Sequence, residues 1–519
     1  MVKLLDKRQF GDFQTPDELA RHITRFLREK LSIAPDLVIE PTCGKGAFIR
    51  ASLKEFSHAK IVGFDINEKY VEEAQKSLIE YLNSENVTLN SEDFFRINWD
   101  SFLSNFEGYI LVIGNPPWVT SSELSILNSQ NLPSKSNFQH RRGIEAITGS
   151  SNFDISEWML LQYTEWLTKR DGAIAILCKC SVARKVFKQI RQKSGNRLSA
   201  TIYLIDAKAF FGASVEACFF VLSTNSHVIS DCIVYQDMTS NQMLHIIGER
   251  DGFLIKDIVK YEKWKHLLGD DRRYTWRSGI KHDCSKVMEF KQVGDGLFQN
   301  GMCKEYSLEQ DYLYPFLKGS DIGNGRVMGC QKLVLVTQKS IGEDTSVIKD
   351  NALKTWQYLL EYNDLLKNRK SSIYRNKPPY SIFGVGEYSF KKWKIAISGL
   401  YKRLNFWLIK PIDDKPVMLD DTVNFLSFNT EQEANFILSL LMSQPSLEFL
   451  ESMIFWDEKR PITIDILKRL SLKAVAKEIG LLERYMEITE IIPIHSSGQL
   501  ELELAEQPSR YPVPMKTEY

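Results

Sequence analysis

A chain of 519 residues, 43% of them hydrophobic, is long enough for roughly two to four domains with a large apolar core. Its 66 basic and 66 acidic residues give a formal net charge of zero, which excludes a surface coated in positive charge but allows a basic cleft. No apolar run reaches the roughly 18 residues of a membrane span, and the charged N-terminus lacks a signal peptide's apolar region. We therefore expect a cytoplasmic protein with no membrane partner.

The eight cysteines are scattered along the chain and predict free thiols. No pair has the CxxC spacing of a zinc or redox site, and the pair Cys178 and Cys180 has no neighbouring histidine. Free cysteines of this kind pack as small apolar side chains. We expect buried thiols and no bound metal.

Strand and helix signals alternate through the first half of the chain. Short apolar runs predict strands at residues 37–40, 60–65, 87–89, 108–113, 172–178, 201–205 and 217–222. Stretches between them predict helices at residues 47–56, 68–82 and 156–169. Alternation at this spacing favours an α/β fold, in which helices cover both faces of a mostly parallel sheet. Residues 121–151, rich in Ser and Asn, predict a long loop.

The character of the sequence changes after about residue 238. Aromatic and basic side chains interleave over residues 261–277, and a further helix is predicted at residues 430–443. We therefore expect a second domain over residues 239–497. The proline-containing tail, residues 498–519, is predicted to be flexible.

Polar residues follow three successive predicted strands. The first strand ends in EPTCGKG, residues 40–46, whose glycines allow a backbone to approach a ligand closely. The second ends in Asp65, at the position where doubly wound folds bind a ribose diol. Asp93 follows the third, where its carboxylate can accept a hydrogen bond from an adenine amino group. CGKG alone is equally typical of an ordinary strand-to-helix turn, but the three motifs in this order predict a nucleoside-type cofactor.

The apolar strand at residues 108–113 leads into NPPW, residues 115–118. Proline fixes φ, lacks an N–H and restricts the preceding residue, so the turn holds Asn115 and Trp118 at set positions. The Asn115 side-chain oxygen and the Pro116 carbonyl are two acceptors that fit a planar amino group. The indole of Trp118 offers a face on which a base can stack. The turn therefore predicts a site for an amino-bearing base.

Taken in order, these motifs resemble those of the amino-methylating DNA methyltransferases. The similarity is to the adenine-N6 class of restriction-modification systems, with its target-recognition domain at the C-terminus. FQTP, residues 13–16, resembles the family's N-terminal cofactor motif, and the strand-end motifs and NPPW resemble the next four. AFFGASV, residues 209–215, resembles the late motif whose aromatic ring faces a flipped base. Looser similarity to the recognition half continues at residues 276–289, 314–322, 383–401 and 455–470.

The resemblance implies a Rossmann-like class I methyltransferase domain, with a mostly parallel seven-stranded sheet, over residues 1–238. It implies an α+β target-recognition domain over residues 239–497. The implied cofactor is S-adenosylmethionine and the implied partner is double-stranded DNA. The enzyme would act in a bacterial or archaeal cytoplasm, either alone or beside a separate cognate restriction endonuclease; the resemblance does not decide between the two.

The resemblance also assigns roles to single residues of the cofactor side. Six residues would hold the cofactor: Thr15, Glu40, Gly44 and Gly46 at the methionine, Asp65 at the ribose, and Asp93 at the adenine amino group. No metal takes part in this chemistry.

The catalytic residues implied by the resemblance follow from NPPW and the late motif. Asn115 and Pro116 would accept the two N–H bonds of the target amine, and Trp118 and Phe211 would sandwich the flipped adenine. Phe210 is the alternative to Phe211 as the base-facing ring. Tryptophan after NPP departs from the tyrosine or phenylalanine commoner in the family, but it retains an aromatic face.

The second half would read the DNA sequence. Because the net charge is zero, duplex binding needs concentrated positive charge, which residues 261–277 and the lysines around Trp393 would supply. The candidate base contacts are Lys281, His282, Asp283, Lys318, Asp321, Lys391, Lys392, Lys459 and Arg460.

Other functions share parts of this pattern. A protein glutamine methyltransferase also carries NPP-aromatic, but it needs no long second half rich in basic and aromatic residues. A combined restriction enzyme would need a nuclease centre, for which residues 413–415 and 457–459 are the loose matches, both predicted as surface turns. A non-catalytic DNA-binding protein would not need an intact NPPW.

Overall fold

The computed structural model describes residues 13–79, 86–119, 154–192, 197–224, 231–271 and 273–490. The predicted long loop at residues 121–151 and the tail at residues 498–519 lie outside the described residues. A ten-stranded sheet occupies the first half of the chain. Its strands are β1 (Leu37–Glu40), β2 (Lys60–Asp65), β3 (Val87–Ser91), β4 (Ile110–Gly114), β5 (Gly172–Lys179), β6 (Leu198–Ile205), β7 (Ala217–Thr224), β8 (Cys232–Tyr235), β9 (Met243–Arg250) and β10 (Phe253–Ile255).

The strands of this sheet lie in the order β10-β9-β8-β6-β7-β5-β4-β1-β2-β3. The run from β3 to β5 is parallel, and β7 lies antiparallel between β5 and β6. The predicted mostly parallel seven-stranded sheet is therefore confirmed. Three further strands extend it on the β6 side as far as Ile255, past the domain boundary predicted at residue 238.

Two apolar layers enclose the sheet, because alternate residues of its strands point to opposite faces. Ile110 and Val112 of β4 pack into one core, and Leu111 and Ile113 pack into the other. The helices of this half are α1 (Asp17–Glu29), α2 (Ala47–Glu55), α3 (Glu68–Ser77), α4 (Trp99–Ser104), α5 (Ile155–Trp166), α6 (Cys180–Gln192) and α7 (Ala207–Phe211). The next helix, α8 (Ile258–Trp264), follows β10 and packs into the core of the second half. Side chains of α5 and α6 belong to the first core, and those of α1 and α2 to the second.

The order of the strands fixes where a ligand can bind. β1 lies between β2 and β4. The chain adds β2 and β3 on one side of β1 and then crosses back to add β4 and β5 on the other side. In open α/β sheets, such a reversal leaves a crevice at the carboxyl ends of the strands. The strand-end motifs and NPPW all lie at this edge.

The second half contains two further sheets. One has the strand order β11-β20-β17-β18, and the other has the order β14-β13-β12-β16-β15-β19. Their strands are β11 (Arg277–Ser278), β12 (Glu289–Gly294), β13 (Leu297–Asn300), β14 (Glu305–Ser307), β15 (Leu313–Leu317), β16 (Lys332–Leu335), β17 (Trp393–Ser398), β18 (Trp407–Ile409), β19 (Met418–Leu419) and β20 (Val423–Phe428).

Helices accompany both of these sheets. They are α9 (Ser285–Met288), α10 (Gly319–Gly323), α11 (Ile348–Asn351), α12 (Leu353–Glu361), α13 (Asn363–Lys367), α14 (Glu431–Leu441), α15 (Gln444–Met453), α16 (Ile464–Leu467), α17 (Leu472–Glu478) and α18 (Leu482–Glu490). Short 3-10 helices lie at Lys265–Leu267, Gln310–Tyr312, Thr345–Val347, Ser372–Tyr374 and Glu387–Phe390. In the part of the chain described, no helix is long and apolar enough to cross a membrane.

The cysteines differ in exposure. All eight are free, and five of them are buried as predicted: Cys43, Cys178, Cys180, Cys218 and Cys232. Cys284 and Cys330 are half-buried, and Cys303 is exposed, so the prediction of buried thiols is wrong for Cys303.

Candidate active site

A cleft lies at the carboxyl ends of β1 to β4 and encloses about 980 Å³, part of it open to solvent. Thr15, Glu40, Gly44, Asp65 and Asp93, which the sequence predicts for the cofactor, line this cleft. Asn115 of NPPW lines it as well. Gly46, Pro116, Trp118 and Phe211 are not among the residues that line this cleft.

The glycines of EPTCGKG have separate structural tasks. Gly44 and Gly46 have φ values of +49° and +77°, which side chains rarely adopt. The Gly44 N–H donates to Asp65 Oδ2 at 2.8 Å, so the turn after β1 is tied to the end of β2. Gly46 caps α2, and a Cβ added there would lie 3.0 Å from the Cβ of Ala74 on α3. Gly46 therefore allows the turn to pack closely and is placed away from the cleft.

Asp65 is held at the end of β2 by backbone donors. Its Oδ1 accepts from the Asn67 N–H at 2.8 Å, and its Oδ2 accepts from Gly44. A carboxylate oxygen can accept more than one hydrogen bond, so both oxygens keep acceptor capacity toward the cleft. The arrangement fits a diol that would donate to a fixed, charged acceptor.

Asp93 is held in a similar way after β3. Its Oδ1 accepts from the Phe95 N–H at 3.0 Å, and Arg96 Nε lies 3.5 Å from its Oδ2. Asp93 therefore lines the same cleft as Asp65 with a fixed carboxylate.

Glu40 is a buried carboxyl group that faces the cleft. Its side chain is 3% exposed, and no hydrogen-bond donor among the described residues reaches its Oε2. Burial raises the pKa of Glu40 well above its ordinary value, and the nearby Asp65 carboxylate raises it further, although Arg50 opposes the shift. An unpartnered buried oxygen of this kind fits a cationic group of the cofactor, such as an ammonium.

Replacing Glu40 with glutamine is expected to make the stability of the cofactor-free protein less dependent on pH. The raised pKa means that the folded protein keeps a proton that the unfolded chain releases above about its ordinary value of 4.5. The contribution of Glu40 to stability therefore falls as pH rises through this window. Thermal unfolding midpoints from pH 5 to pH 8 should fall more steeply for wild-type than for the variant. Parallel profiles would show that Glu40 is ionised in the folded protein.

The side chain of Asn115 has a fixed orientation. Its Nδ2 donates to the main-chain oxygen of Phe13 at 2.8 Å, so its Oδ1 points away from that contact. Oδ1 is buried, and no donor among the described residues reaches it. Pro116 is buried beside it. The amide thus leaves an acceptor without a partner at the cleft wall, and such an atom is costly unless a ligand supplies a donor.

The aromatic rings of the predicted base site contact one another. Trp118 is 5% exposed, and its Nε1 donates to the Leu177 oxygen of β5 at 3.3 Å. The ring centroids of Trp118 and Phe211 are 5.2 Å apart at an interplanar angle of 70°, and Phe13 contacts both rings. A base sandwiched between two parallel rings needs roughly 7 Å, twice a carbon–carbon contact distance. The predicted sandwich therefore requires Phe211 to move from its position here.

Sequence reasoning missed the parts of the site that depend on main-chain atoms. The Phe13 carbonyl, which orients Asn115, belongs to FQTP, but no residue type signals a carbonyl acceptor. A second tie joins Ile155 N–H to the Val119 oxygen at 3.0 Å, directly after NPPW. Lys179 Nζ at the end of β5 lies 2.6 Å from Asp154 Oδ2, which fixes the start of α5 beside this tie.

Residues 457–459, considered as a nuclease centre, instead join the two halves of the chain. Arg184 of α6 is 6% exposed, and its Nη1 and Nη2 lie 2.7 Å and 2.8 Å from Asp457 and Glu458. Its guanidinium lies over the Phe455 ring at 4.4 Å, and Phe455 packs against the core of the first half. The predicted surface turn is wrong for Asp457, which is nearly buried. We call these four side chains the Arg184 joint.

In the segment predicted as a basic surface, residues 261–277, several aromatic side chains are buried and the lysines are paired with acids. Tyr261, Tyr274 and Trp276 are buried in the core of the second half. Lysines in and beside this segment are paired with acids: Lys260 with Glu451, Lys263 with Glu448, and Lys265 with Asp251. Around Trp393, Lys392 pairs with Asp414 and Lys410 with Glu431, and Lys394 is buried. Aromatic and basic residues interleave here because the aromatic side chains are buried in the core and the lysines form ion pairs at its edge.

The candidate base contacts are engaged to different degrees. His282 is buried with its Nε2 3.5 Å from Glu289, so it is not placed to contact DNA. The ion pairs of the other candidates are Lys281 with Asp283, Lys318 with Glu289, Asp321 with Arg326, and Arg460 with Asp421. Lys459 is exposed.

Comparison with known proteins gives the family. The family model of N-6 DNA methylases matches residues 5–285. The Type II methyltransferase M.NspV of Nostoc sp. is 44% identical over 477 residues, 91% of this chain and 98% of that protein. The Type II methyltransferase M.CvrRI of Paramecium bursaria Chlorella virus XZ-6E is 31% identical over 121 residues, 23% of this chain and 28% of that protein.

Among solved structures, the Type IIL restriction-modification enzyme MmeI in complex with DNA has a TM-score of 0.47 and 11% identity. The match covers 91% of this chain and 76% of that chain. The family assignment rests on the sequence matches, because the family model spans more than half of the chain and M.NspV matches most of it. The chain therefore belongs to the N-6 DNA methylase family and is a DNA methyltransferase that uses S-adenosylmethionine.

Proposed function

We propose that the chain methylates the N6 amino group of a flipped adenine within a specific duplex sequence. It would thus be a site-specific, adenine-specific DNA methyltransferase. The observation that carries this proposal is the orientation of Asn115. Its NH₂ is committed to Phe13, and its buried oxygen is left as an acceptor at the cleft. An exocyclic amine is the group that supplies the missing donor.

Asn115 and Pro116 would act on the nucleophile. The lone pair of an adenine amine is delocalised into the ring, so the nitrogen is a poor nucleophile. Two acceptors that take both N–H bonds favour a pyramidal nitrogen with a localised lone pair. They thereby stabilise the positive charge that develops on it during attack. The bond from nitrogen to the methyl carbon would form as the sulfur–methyl bond breaks, which leaves the cofactor as a neutral thioether, and the nitrogen would then release one proton to solvent.

The cofactor supplies the electrophilic methyl group on its sulfonium. Asp65 and Asp93 would bind its ribose and adenine, because both lie in the cleft with fixed carboxylates. Glu40, Thr15 and Gly44 would surround the methionine moiety, where the buried Glu40 oxygen can meet the ammonium. Such placement holds the two reactants close together, which contributes much of the rate enhancement.

Phe211 and Phe210 form a matched pair for testing base stacking. Phe211 contacts Trp118, whereas Phe210 is 41% exposed one residue earlier. Replacing Phe211 with alanine should lower methylation of a single-site duplex by roughly 5- to 150-fold, the equivalent of 1–3 kcal/mol of stacking. Phe210→Ala should leave the rate close to wild-type, as measured under single-turnover conditions. The reverse order would make Phe210 the base-facing ring.

The wider assignments stay predictions. They are a catalytic domain over residues 1–238, a recognition domain over residues 239–497, a separate restriction endonuclease, and a cytoplasmic location. Because β8 to β10 carry the first sheet to Ile255, a truncation at residue 238 would remove two of its strands and is a poor test of this division. Point variants of the whole chain test it better.

The decisive experiment is a product analysis. Purified protein is incubated with unmethylated genomic DNA and labelled S-adenosylmethionine, and the digested nucleosides are identified by mass spectrometry. We expect N6-methyl-2′-deoxyadenosine, and sequencing of the same DNA with modified-base detection should place it at one short sequence. Methylated cytosine, or label on protein glutamine and none on DNA, would overturn the proposal.

A further inference from the structure

We propose that a basic groove on the six-stranded sheet of the second half is a docking surface for duplex DNA. Its lining includes four lysines, Lys286, Lys291, Lys318 and Lys332, one acid, Glu289, and the side chains of Gln299 and Cys303. We call it the lysine groove. The proposal rests on the proposed function, since it assigns the surface that brings the DNA substrate to the enzyme.

The lysine groove concentrates positive charge that is not neutralised. Lys318 pairs with Glu289 at 2.6 Å. No carboxylate of the described residues lies within 4.0 Å of the ammonium groups of Lys286, Lys291 or Lys332, and none of these three ammonium groups has a hydrogen-bond partner there. This contrasts with residues 260–265, where each lysine has an acidic partner. In a chain of zero net charge, the groove is therefore a place where a polyanion finds free cations.

The sheet places two of these lysines directly opposite each other. Lys291 of β12 pairs in register with Lys332 of β16, and on its other side with Gln299 of β13. Like charges directly opposite on neighbouring strands destabilise a sheet. The Lys291–Lys332 pairing therefore lowers the stability of the DNA-free protein, and a DNA phosphate between or beside the two ammonium groups would offset that loss.

Gln299, Lys291 and Lys332 form a row across three strands, and their side chains can bind both the phosphates and the base edges of DNA. Lysine binds phosphates as a point charge, and both lysine and glutamine can donate to base edges in the major groove. Lys286 adds a charge from α9, the helix directly before β12. A duplex lying on the sheet would meet cations and amide donors in one row across three strands.

The first test measures how binding depends on salt. The double variant Lys291→Gln/Lys332→Gln removes two charges and relieves the like-charge pairing. The slope of log affinity against log salt should decrease in magnitude by about 1.8, or about 0.9 for each phosphate that a lysine no longer neutralises. Between 50 and 200 mM salt, the deficit of the variant against wild-type should shrink by roughly tenfold. The charge-matched control Lys263→Gln/Lys410→Gln, whose lysines already have acidic partners, should keep the wild-type slope.

The second test uses a native thiol as a reporter. Cys303 lines the groove and is the exposed one of the eight cysteines. Saturating cognate duplex should slow alkylation of Cys303 by N-ethylmaleimide at least severalfold, as followed by mass spectrometry of the native full-length protein. Cofactor without DNA should leave the rate unchanged. An unprotected Cys303 together with a wild-type salt slope in the double variant would overturn the proposal.

The two tests are separable from the product analysis. Adenine methylation without protection of Cys303 and without a change in slope would reject the groove alone. Protection and a reduced slope with a product other than methylated adenine would reject the proposed reaction and support the groove. A double variant that binds less tightly at every salt concentration with an unchanged slope would count against phosphate contacts by these lysines.

Discussion

Replacing Asn115 with alanine is expected to lower single-turnover methylation by about 10²–10³-fold, the loss found when one polar group is removed from a preorganised transition-state site. The Asn115 NH₂ donates to the Phe13 carbonyl, which orients the amide, and the amide oxygen itself has no donor among the described residues. In the proposed mechanism this oxygen accepts from the amine that is to be methylated, so its removal would take away stabilisation of the charge developing on that nitrogen. Affinity for cognate duplex should stay near wild-type, as measured by fluorescence anisotropy.

Two further variants make this result specific. Asn115→Asp keeps an acceptor of the same size but loses the NH₂ that binds Phe13, so we expect it to be impaired as well. Asn105→Ala changes an exposed asparagine of the same half, and it should be fully active. If Asn115→Ala turned over at a rate near wild-type, the acceptor would not be part of the reaction.

Replacing Asp65 with alanine is expected to weaken binding of S-adenosylmethionine by about 100-fold, or about 2.7 kcal/mol. The variant loses charge-assisted hydrogen bonds to the cofactor, each of which contributes about 1.5–3 kcal/mol. It also releases the N–H groups of Gly44 and Asn67, which now hold the turn after β1 against the end of β2. Isothermal titration calorimetry on the full chain measures the effect directly.

The asparagine variant at the same position separates charge from shape. Asp65→Asn retains one oxygen for the backbone donors, so it should lose less affinity than Asp65→Ala. Asp100→Ala, at an exposed position on α4, should bind the cofactor as wild-type does. Unchanged affinity in Asp65→Ala would remove this carboxylate from the cofactor site.

The site could be predicted from sequence where it depends on strand ends. Glu40, Asp65, Asp93 and Asn115 each follow an apolar run, and parallel strands carry their last residues to a common edge. The position of each residue directly after a strand is therefore enough to predict that these side chains meet in one cleft. The Phe13 carbonyl and the Ile155 N–H could not be found this way, because main-chain groups carry no residue-type signal.

The recognition half was less predictable, for a physical reason. Interleaved aromatic and basic residues are typical of a nucleic-acid surface, but they are also typical of an amphipathic segment with a buried ring face and a charged rim. Burial of Tyr261 and Trp276 depends on packing against distant elements such as α14 and α15. The Lys291 and Lys332 pairing likewise joins strands about forty residues apart and leaves no local signature.

The Arg184 joint has a consequence for exchanging DNA specificity between related enzymes. A graft that replaced the second half but lacked carboxylates at 457 and 458 would leave the Arg184 guanidinium buried without an anion, at a cost of about 3–5 kcal/mol. The same graft would remove the ring of Phe455 from the first core. A successful chimera must therefore take residues 455–458 from the same enzyme that supplies Arg184. This short segment has to stay unexchanged, even though it lies deep within the half that is replaced.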